Sequence, residues 1–471
     1  MKKLSELYNI DSDVLVRGIS INSKEVKDGD IFVCVSGVNF DRHLFVDEAI
    51  SNGCSCIVAS RDIGKKSVPV IYVDNTDTEL TKLAKKLYDY KNGNPALFGV
   101  TGTNGKTTVT SIIQDMLGDD ICGYMGTNGI KCSKFNQKIR NTTPDADRLY
   151  MYFDKFVKSG CKYLSMEASS EAFFRKRLID VIFDVGIITN ITEDHLNIHK
   201  TIDNYVDCKL ELLKSVKDSG LCILNTEDKY FEREILACRS RVVTYGKKMD
   251  ATLRLVDYKY DNTFMKITVS YKDKMYSFDS PLIGEFNVYN LMAAMLLLLE
   301  YLNISIENVV KSIKNLKTIP GRLQFLEYGQ NYKIILDYAH TPDAFLNLYP
   351  SLNNMKKGKI ITVTGSAGGR EISKRGPMGK IVLENSDYVI FTMDDPRCED
   401  VDNIIDDLVS DTNLNNYERI IDRKEAIFKA LSIAKEDDIV LIAGKGVDDY
   451  MAVGNQYLKY CDLDVIEEYF K

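Results

Sequence analysis

The sequence predicts an α/β protein of three domains, of which the central one contains a mostly parallel sheet. Short apolar runs alternate with helical patterns along the whole chain, which is typical of such folds. The 471 residues correspond to about three domains of ordinary size. The composition, 45% hydrophobic and 27% charged residues, is that of a globular chain with ample material for a core.

The first domain is predicted to cover residues 1–94. Apolar runs at 31–35, 56–59 and 70–73 indicate short strands, and helical patterns lie between them. A helical segment at 80–90 then ends in Lys-Asn-Gly-Asn-Pro at 91–95, a cluster of residues that break regular structure. We therefore place the first domain boundary at residue 94.

The second domain, residues 95–319, begins with the clearest functional signal in the chain. An apolar strand at 96–100 leads into Thr-Gly-Thr-Asn-Gly-Lys-Thr-Thr at 101–108 and then into a helical pattern up to Leu117. Such a turn directs backbone N–H groups and a helix N-terminus at one point, so it can bind a polyphosphate. Lys106 would reach the β- and γ-phosphates, and Thr107 would hold Mg²⁺. Val100 stands where the strict Walker spacing has glycine, so the prediction depends on the strand and helix around the loop.

Polar clusters follow two further strands of this domain. The strand at 163–166 runs into Glu167, and the strand at 181–189 runs into Asn-Ile-Thr-Glu-Asp-His at 190–195. Because ligands of an open parallel sheet lie at the carboxyl ends of its strands, we expect both clusters to meet the phosphate loop. Glu167 and His195 then become candidates for the metal side of the site. A strand-end cap and an ordinary loop histidine are the alternatives.

Lys209 lies within the apolar stripe of a helix predicted at 203–216. A lysine in such a stripe must extend to the surface, pair with an acid, or lose its charge. A lysine converted chemically to an anion would instead serve as a metal ligand or a positioning group.

Charge and hydropathy exclude several classes of partner. The net charge is −7 and no dense block of Lys and Arg occurs, which argues against a nucleic-acid or anionic-membrane partner. The longest apolar run, 291–299, is too short to span a bilayer, and Glu6 interrupts any signal-peptide core. The eleven cysteines lack paired metal-ligand spacing. We expect a cytoplasmic protein with reduced thiols.

Eight motifs, taken together and in order, resemble those of the Mur ligases over nearly the whole chain. The similarity is greatest to the members that add the third residue of the peptidoglycan stem peptide. No single motif would decide it. The motifs occupy residues 101–108, 141–144, 166–170, 189–199, 205–209, 286–294, 320–322 and 337–343.

The resemblance implies an ATP-dependent amide ligase of peptidoglycan precursor synthesis. ATP would phosphorylate the D-glutamyl carboxylate of UDP-MurNAc-L-Ala-D-Glu, and the amine of a diamino acid would displace the phosphate. ATP and Mg²⁺ are the implied cofactors. The domains 1–94, 95–319 and 320–471 would bind the UDP-sugar, ATP and the amino acid, and the last would be Rossmann-like. The expected partners are small molecules only, for a monomeric chain.

The resemblance also implies roles for individual residues. Catalysis is assigned to Lys106, Glu167, His195 and Lys209. The ATP site would comprise Gly102, Thr103, Asn104, Gly105, Lys106, Thr107, Thr108, Asn287, Asn290, Arg322 and Asp337. The metal ligands would be Thr107, Glu167, His195 and a carbamylated Lys209. The UDP-sugar dipeptide would contact Ser23, Asn141, Thr142, Thr143, Ser169, Arg175 and Arg177. The amino acid would contact Arg370, Asp394, Asp395, Arg397, Gly444 and Asp448.

Two motifs of the amino-acid pocket depart from the pattern of diaminopimelate-adding members. Asp-Asp-Pro-Arg at 394–397 replaces Asp-Asn-Pro-Arg, and Gly-Lys-Gly-Val-Asp at 444–448 replaces Gly-Lys-Gly-His-Glu. An arginine at 397 would meet the distal carboxylate of meso-diaminopimelate, which we favour slightly as substrate. If Asp395 paired with Arg397 instead, the pocket would suit L-lysine.

Other classes predict different features. A switch GTPase would carry an Asn/Thr-Lys-x-Asp signature, which is absent from the sequence. A folylpolyglutamate-synthetase-like ligase would lack the first domain and the Asn-Thr-Thr-Pro run at 141–144. A non-catalytic P-loop module would lack the metal-side groups Glu167, His195 and Lys209, all of which are present.

Overall fold

The computed structural model describes residues 1–35, 41–139, 141–261 and 264–471. In these ranges three main sheets of four, eleven and six strands follow one another along the chain, which confirms the predicted α/β fold and is consistent with three domains. No helix in these ranges is both long enough and apolar enough to cross a lipid bilayer.

The N-terminal unit is a four-stranded parallel sheet in the order β3-β4-β5-β6. The apolar runs predicted as strands form β4, β5 and β6. Helix α3 buries Leu80 and Leu83 in a core shared with Leu149 and Phe153 of the next unit, which joins the two units through one apolar layer. The elements are β1 Lys2–Lys3, α1 Leu4–Leu7, β2 Leu15–Val16, β3 Gly18–Ser20, β4 Asp30–Val33, α2 Val46–Ser51, β5 Cys56–Ala59, β6 Val70–Tyr72 and α3 Thr76–Leu87.

The central unit contains the eleven-stranded sheet, in the order β10-β9-β8-β11-β7-β12-β13-β14-β15-β16-β17. The seven strands β8-β11-β7-β12-β13-β14-β15, which are neighbours in the sheet, pair in parallel, as predicted. Antiparallel strands extend the sheet at both edges, β9 and β10 at one edge and β16 and β17 at the other. The elements are β7 Ala96–Thr101, α4 Lys106–Leu117, β8 Cys122–Gly126, β9 Gly129–Cys132, β10 Phe135–Gln137, α5 Ala146–Lys158, β11 Tyr163–Glu167, α6 Ser170–Phe174, β12 Phe183–Ile188, α7 Leu196–His199, α8 Ile202–Lys214, β13 Val216–Asn225, α9 Phe231–Ala237, β14 Arg241–Gly246, β15 Leu253–Asp261, β16 Phe264–Tyr271, β17 Lys274–Ser280, α10 Glu285–Leu296 and α11 Ile306–Ile313.

The helix that carries Lys209 is shorter than the sequence predicts. Helix α8 begins after the cap Thr201, whose side chain accepts a hydrogen bond from the Asn204 amide, and it ends at Lys214. Val216, which the pattern assigned to the same apolar stripe, is the first residue of β13. A buried valine suits the start of a central strand as well as a helix stripe, so periodicity alone did not separate the two.

The C-terminal unit is a six-stranded sheet in the order β18-β19-β23-β20-β21-β22, in which only β18 is antiparallel. The predicted strands at 333–336, 359–363, 388–392 and 439–442 form β19, β20, β21 and β23. The elements are β18 Gln324–Leu326, β19 Lys333–Asp337, α12 Pro342–Met355, β20 Ile360–Thr364, α13 Arg375–Asn385, β21 Tyr388–Phe391, α14 Val401–Val409, β22 Tyr417–Arg419, α15 Arg423–Ile433, β23 Ile439–Ala443, β24 Tyr450–Val453, β25 Gln456–Lys459 and α16 Asp462–Tyr469.

Candidate active site between the central and C-terminal sheets

Two adjoining cavities lie where the carboxyl ends of the central and C-terminal parallel strands face each other. The larger has a volume of about 870 Å³ and the smaller about 350 Å³. They share the phosphate-loop residues Asn104 and Gly105 and, from the C-terminal unit, Arg322, Tyr338 and His340. The predicted phosphate loop therefore stands between an elongated cavity and a compact polar one.

The loop between β7 and α4 needs glycine at two positions for steric reasons. Gly102 and Gly105 have φ of +149° and +87°. A Cβ on Gly102 would lie 1.9 Å from Thr189 Oγ1, and one on Gly105 would lie 2.4 Å from Asn290 Oδ1. Both values are far inside van der Waals contact. The loop can hold its shape only without side chains at these positions.

Lys106 is held within this loop. Its Nζ donates hydrogen bonds to the carbonyl oxygens of Gly102 at 2.8 Å and Thr103 at 2.9 Å. Burial lowers the pKa of Lys106, and the carboxylates of Glu167 and Asp194 oppose that shift. The Lys106 ammonium is thus hydrogen-bonded to neutral carbonyls, and the phosphates of a bound polyphosphate would be stronger acceptors because they are charged.

The C-terminal unit contacts the phosphate loop through two hydrogen bonds, and it contacts a more distant part of the central unit through one ion pair. Arg322 Nη2 donates to Thr107 Oγ1 at 3.1 Å, and the guanidinium lies over the Tyr338 ring with 4.7 Å to its centroid. Asn104 Nδ2 donates to Asp343 Oδ2 at 2.6 Å. Further out, Lys138 forms an ion pair with Asp449 at 2.7 Å. These contacts hold the two sheets together over the site.

Glu167 ends β11 and is fully buried. Its Oε1 accepts hydrogen bonds from the Tyr124 hydroxyl at 2.9 Å and the Thr127 amide at 2.8 Å, and Oε2 accepts one from the Thr127 hydroxyl at 3.2 Å. Gly126 leaves the space, since a Cβ there would lie 2.1 Å from Oε1. The carboxylate is therefore fixed in direction on the wall of the smaller cavity.

His195 lies beside Asp194 on the loop after β12. Its Nε2 is 3.4 Å from Asp194 Oδ2, and its backbone has φ of +56°. Partial burial lowers the pKa of His195, with Lys106 and Lys209 acting in the same direction against Asp194. Despite its burial, the pKa of the Asp194 carboxyl falls to about 2, chiefly because of His195 and Lys374.

Lys209 is buried in the wall of the smaller cavity. Its Nζ stacks over the Tyr205 ring, 4.4 Å from the centroid, and it forms no ion pair with any acid in the described ranges. Burial and the nearby Lys106 charge hold the pKa of Lys209 well below its usual range. Of the three fates open to a lysine in an apolar stripe, the structure favours loss of charge.

The donors in this cavity suit Mg²⁺ bound together with phosphates. Among the described residues no group of three or more His, Cys, Asp and Glu side chains is arranged to hold a metal by itself. Mg²⁺ commonly needs only one or two protein oxygens, because substrate phosphates and water complete its shell. The oriented Glu167 carboxylate and the Thr107 hydroxyl are hard oxygen donors of that kind, both in the smaller cavity.

The larger cavity is lined by part of the predicted nucleotide set and by side chains that the sequence did not indicate. Asn290, Arg322 and Asp337 line it. Asn287 does not, because its Nδ2 donates to the Ile283 carbonyl at 2.7 Å and its Oδ1 accepts from Asn290 Nδ2 at 3.2 Å. The unpredicted lining includes the aromatic side chains Tyr245, Tyr258, Phe286 and Tyr289.

Most of the residues predicted to contact the UDP-sugar dipeptide meet at the smaller cavity, and two do not. Those that line it are Asn141, Thr142, Thr143, Ser169 and Arg177. Arg175 is instead held in an ion pair with Glu171 at 2.6 Å, and the Ser23 hydroxyl donates to Glu48 in the N-terminal unit. Neither lines either cavity.

All six predicted amino-acid contacts, which are Arg370, Asp394, Asp395, Arg397, Gly444 and Asp448, line the smaller cavity. The two loops that carry most of them follow the neighbouring strands β20 and β21. A third group follows β23.

The Asp395 carboxylate does not bind Arg397. Its Oδ1 accepts hydrogen bonds from Lys445 Nζ at 2.8 Å and from the Ala452 amide at 2.9 Å. Arg397 Nη1 donates instead to the carbonyl oxygens of Gly368 at 2.6 Å and Asp395 at 3.3 Å. In the described part of the chain the Arg397 guanidinium forms no ion pair, so its charge is available to a ligand. The sequence did not indicate Lys445 as the partner of Asp395, although it lies within the Gly-Lys-Gly run at 444–446.

Asp448 offers a carboxylate to the same cavity. Burial, together with Asp394 and Asp395, raises the pKa of Asp448 to about 6, while Lys445 opposes the shift. Its Oδ2 accepts a hydrogen bond from the Tyr338 hydroxyl at 3.4 Å. An acid, Asp448, and a base without an ion-pair partner in the described ranges, Arg397, therefore line the same pocket.

Comparison with known proteins gives concordant results. The Mur ligase middle domain matches residues 100–298, and the Mur ligase glutamate ligase domain matches residues 321–446. UDP-N-acetylmuramoyl-L-alanyl-D-glutamate--2,6-diaminopimelate ligase of Fusobacterium nucleatum subsp. nucleatum is 35% identical over 98% of this chain and 95% of that protein. Ligase 2 of the same name from Clostridium acetobutylicum is 37% identical over 99% of both chains. A solved structure of a ligase of this name has a TM-score of 0.66 at 26% identity, covering 100% of this chain and 98% of that one.

Proposed function

The chain belongs to the Mur ligase family, and we propose that it is the ATP-dependent ligase that adds meso-diaminopimelate to UDP-MurNAc-L-Ala-D-Glu. The observation that carries this proposal is one polar cavity that joins a phosphate loop, an oriented buried glutamate and a free arginine. The relatives named above are diaminopimelate ligases, which supports the same choice of amino acid.

The reaction has two steps. The γ-phosphoryl group of ATP passes to an oxygen of the D-glutamyl carboxylate, ADP leaves, and an acyl phosphate forms. The amine of the diamino acid then attacks the carbonyl carbon, a C–N bond forms, the amine loses a proton, and phosphate leaves with the former carboxylate oxygen. Negative charge builds up on phosphoryl and carbonyl oxygens in both steps. Arg322 lines both cavities and Lys106 lines the smaller one, and both cations can stabilise that charge.

Glu167 and Thr107 are the residues that would hold Mg²⁺. Bound there, the ion would neutralise phosphate charge in the transition state. The protein's own part is to keep the Glu167 carboxylate in one direction, which the Tyr124 and Thr127 hydrogen bonds do. We also assign His195, which lines the same cavity and lies beside Asp194, to the metal side of the site.

Lys209 is assigned as a carbamate. A buried amine of lowered pKa loses its proton more readily than a free lysine, and the neutral amine can attack CO₂, forming an N–C bond and releasing a proton. The carbamate is an anion. Carbamylation would therefore replace the repulsion between the Lys209 and Lys106 ammonium groups with an attraction between opposite charges. That exchange gives a physical reason for a buried lysine without an acidic partner.

The choice of diaminopimelate over L-lysine depends on Arg397. A diaminopimelate side chain ends in an ammonium and a carboxylate, so its pocket needs an acid and a base together. Asp448 can supply the acid, and Arg397 the base. The alternative in which Asp395 neutralises Arg397 is not supported, because the Asp395 carboxylate is already bound by Lys445 and Ala452.

The three units divide the substrates among them in this proposal. Residues 1–94 and the 141–143 run with Ser169 and Arg177 serve the UDP-sugar dipeptide, and we retain Ser23 and Arg175 as candidates whose side chains would have to leave Glu48 and Glu171. Residues 95–319 bind ATP. In this domain Asn287 orients the Asn290 side chain through a hydrogen bond and does not itself contact the adenine base. Residues 320–471 bind the amino acid.

We place the reaction in the cytoplasm, where ATP is available, and we propose that the protein acts as a monomer.

Oxygen transfer provides the test. Dipeptide substrate labelled with ¹⁸O in the D-glutamyl carboxylate should pass one labelled oxygen to inorganic phosphate for each tripeptide formed, because the acyl-phosphate oxygen leaves with the phosphoryl group. Mass spectrometry of the phosphate and of the nucleotide-linked product measures both. Tripeptide formation with unlabelled phosphate would contradict the acyl-phosphate route, and absence of tripeptide would contradict the proposed function.

A further inference from the structure

Two residues outside the proposed binding set, Arg375 and Glu399, connect the loops that carry the amino-acid pocket. The first loop, residues 365–371, follows β20, and the second, residues 392–400, follows β21. The loops lie side by side because β20 and β21 are paired in parallel. Arg370 on the first loop and Arg397 on the second both line the smaller cavity.

Arg375 is a charged residue that is only 1% exposed. Its Nη2 donates to the Ala367 carbonyl at 3.1 Å and lies 2.8 Å from Glu399 Oε2, while Nη1 lies 2.8 Å from Asp407 Oδ2. A buried guanidinium held by two carboxylates and a carbonyl has one orientation open to it. It anchors the first loop to α13, of which it is the first residue.

Glu399 connects Arg375 to the backbone of the first loop at the wall of the smaller cavity. Its Oε1 accepts a hydrogen bond from the Gly369 amide, while Oε2 is bound by Arg375. The neighbouring carbonyl of Gly368 accepts the 2.6 Å hydrogen bond from Arg397 Nη1. The contacts therefore run without a gap from Arg375 through Glu399 and the Gly368-Gly369 backbone to the Arg397 guanidinium.

The backbone around Arg397 depends on the same loop. Asp395 and Arg397 have φ of +48° and +52°, a conformation that is unfavourable for residues with a Cβ and persists where the surroundings fix it. The Gly368 amide donates to the Asp395 carbonyl at 3.0 Å, and a Cβ on Gly368 would lie 1.9 Å from the Pro396 carbonyl oxygen. Contacts with the first loop therefore fix the backbone conformation of the turn at 395–397.

We propose that Arg375 and Glu399 are positioning residues that fix the direction of the Arg397 guanidinium and thereby set the preference for an amino acid with a distal carboxylate. Neither residue lines the cavity, so neither is proposed to touch the substrate. The inference rests on the proposed function, because the preference concerns the amino acid of that reaction.

Glu399→Gln is the informative variant. The amide keeps the length of the side chain and can still accept the Gly369 N–H, but its NH₂ group then faces the Arg375 guanidinium, donor against donor. We expect the ratio of kcat/KM for diaminopimelate to kcat/KM for L-lysine to fall by about tenfold, since small displacements of a positioning group cost one to two orders of magnitude. The KM values for ATP and for the UDP-sugar dipeptide should stay at the parent values.

The ratio separates positioning from a purely structural role. A variant that merely folds less well loses activity with both amino acids in proportion, which leaves the ratio unchanged. Arg375→Lys, which keeps the charge but not the fork, should lower the ratio in the same direction. Glu468→Gln is the matched control, because it removes an exposed ion pair with Lys424 in the same unit and should change the ratio by less than about twofold.

A ratio for Glu399→Gln within about twofold of the parent ratio would overturn this inference while leaving the ligase assignment intact. A parent enzyme that forms tripeptide with L-lysine in preference to diaminopimelate would overturn the proposed substrate first, and the inference with it. The two failures are therefore distinguishable in one set of assays.

Discussion

Removal of the Arg397 side chain should abolish most of the preference for diaminopimelate. In the structure the guanidinium donates to two backbone carbonyls and has no ion-pair partner in the described ranges, so the distal carboxylate of the substrate would be its charged acceptor. Truncating one partner of a buried, hydrogen-bonded charge pair costs about 2–5 kcal/mol. Because Arg397 is only half-buried, the lower end, about 2–3 kcal/mol, applies.

That free energy corresponds to a loss of about 30- to 140-fold in kcat/KM for diaminopimelate. With L-lysine, which lacks the second carboxylate, Arg397→Ala should keep kcat/KM or raise it, since an unpaired cation is removed from the pocket. The assay is phosphate release at saturating ATP and UDP-sugar dipeptide with each amino acid varied in turn. Diaminopimelate use that survives Arg397→Ala unchanged would show that Arg397 does not bind the distal carboxylate.

Three further predictions concern the reaction centre. Lys106→Ala should abolish turnover, because its charge at the β- and γ-phosphates has no replacement nearby, and steady-state rates within about tenfold of the parent would contradict the phosphate-loop assignment. Lys209→Ala should be inactive and partly rescued by short carboxylic acids that replace the carbamate; an intact mass under CO₂ without the added carboxyl group, together with a near-normal rate for the variant, would refute this. Since the pKa of Asp448 is raised to about 6, its carboxyl gains a proton as the pH falls through that value and loses its attraction for a substrate ammonium. KM for diaminopimelate should therefore rise below about pH 6, and Asp448→Asn should give a high KM without that acid limb; a KM for the parent that is flat from pH 7 to pH 5 would argue against the role.

The local features of this protein could be predicted from the sequence. The phosphate loop was predictable because its glycines, its lysine and the strand and helix around it are consecutive in the chain. The convergence of Glu167 and His195 followed from the rule that ligands gather at the carboxyl ends of parallel strands, whereas Lys209 was indicated by its place in an apolar helix stripe and by the family resemblance. All three line the smaller cavity.

Features that depend on distant pairings could not be predicted. Lys445 binds Asp395 across 50 residues of sequence, so nothing local indicated that this lysine would leave Arg397 free. Tyr258 reaches the larger cavity from β15, which begins the antiparallel extension of the central sheet that a mostly parallel prediction did not include. Asn287 carries the expected residue type, but its amide satisfies the backbone of its own helix start.

Amino-acid-dependent phosphate release from ATP in the presence of UDP-MurNAc-L-Ala-D-Glu, with meso-diaminopimelate, L-lysine and L-ornithine compared at equal concentration, measures both the ligase reaction and the choice of amino acid. We expect fast release with diaminopimelate, accompanied by one tripeptide per phosphate, and much slower release with the two amino acids that lack a distal carboxylate. Equal or faster release with lysine or ornithine would contradict the carboxylate pocket around Arg397. Phosphate release that does not require any amino acid would contradict the ligase reaction itself.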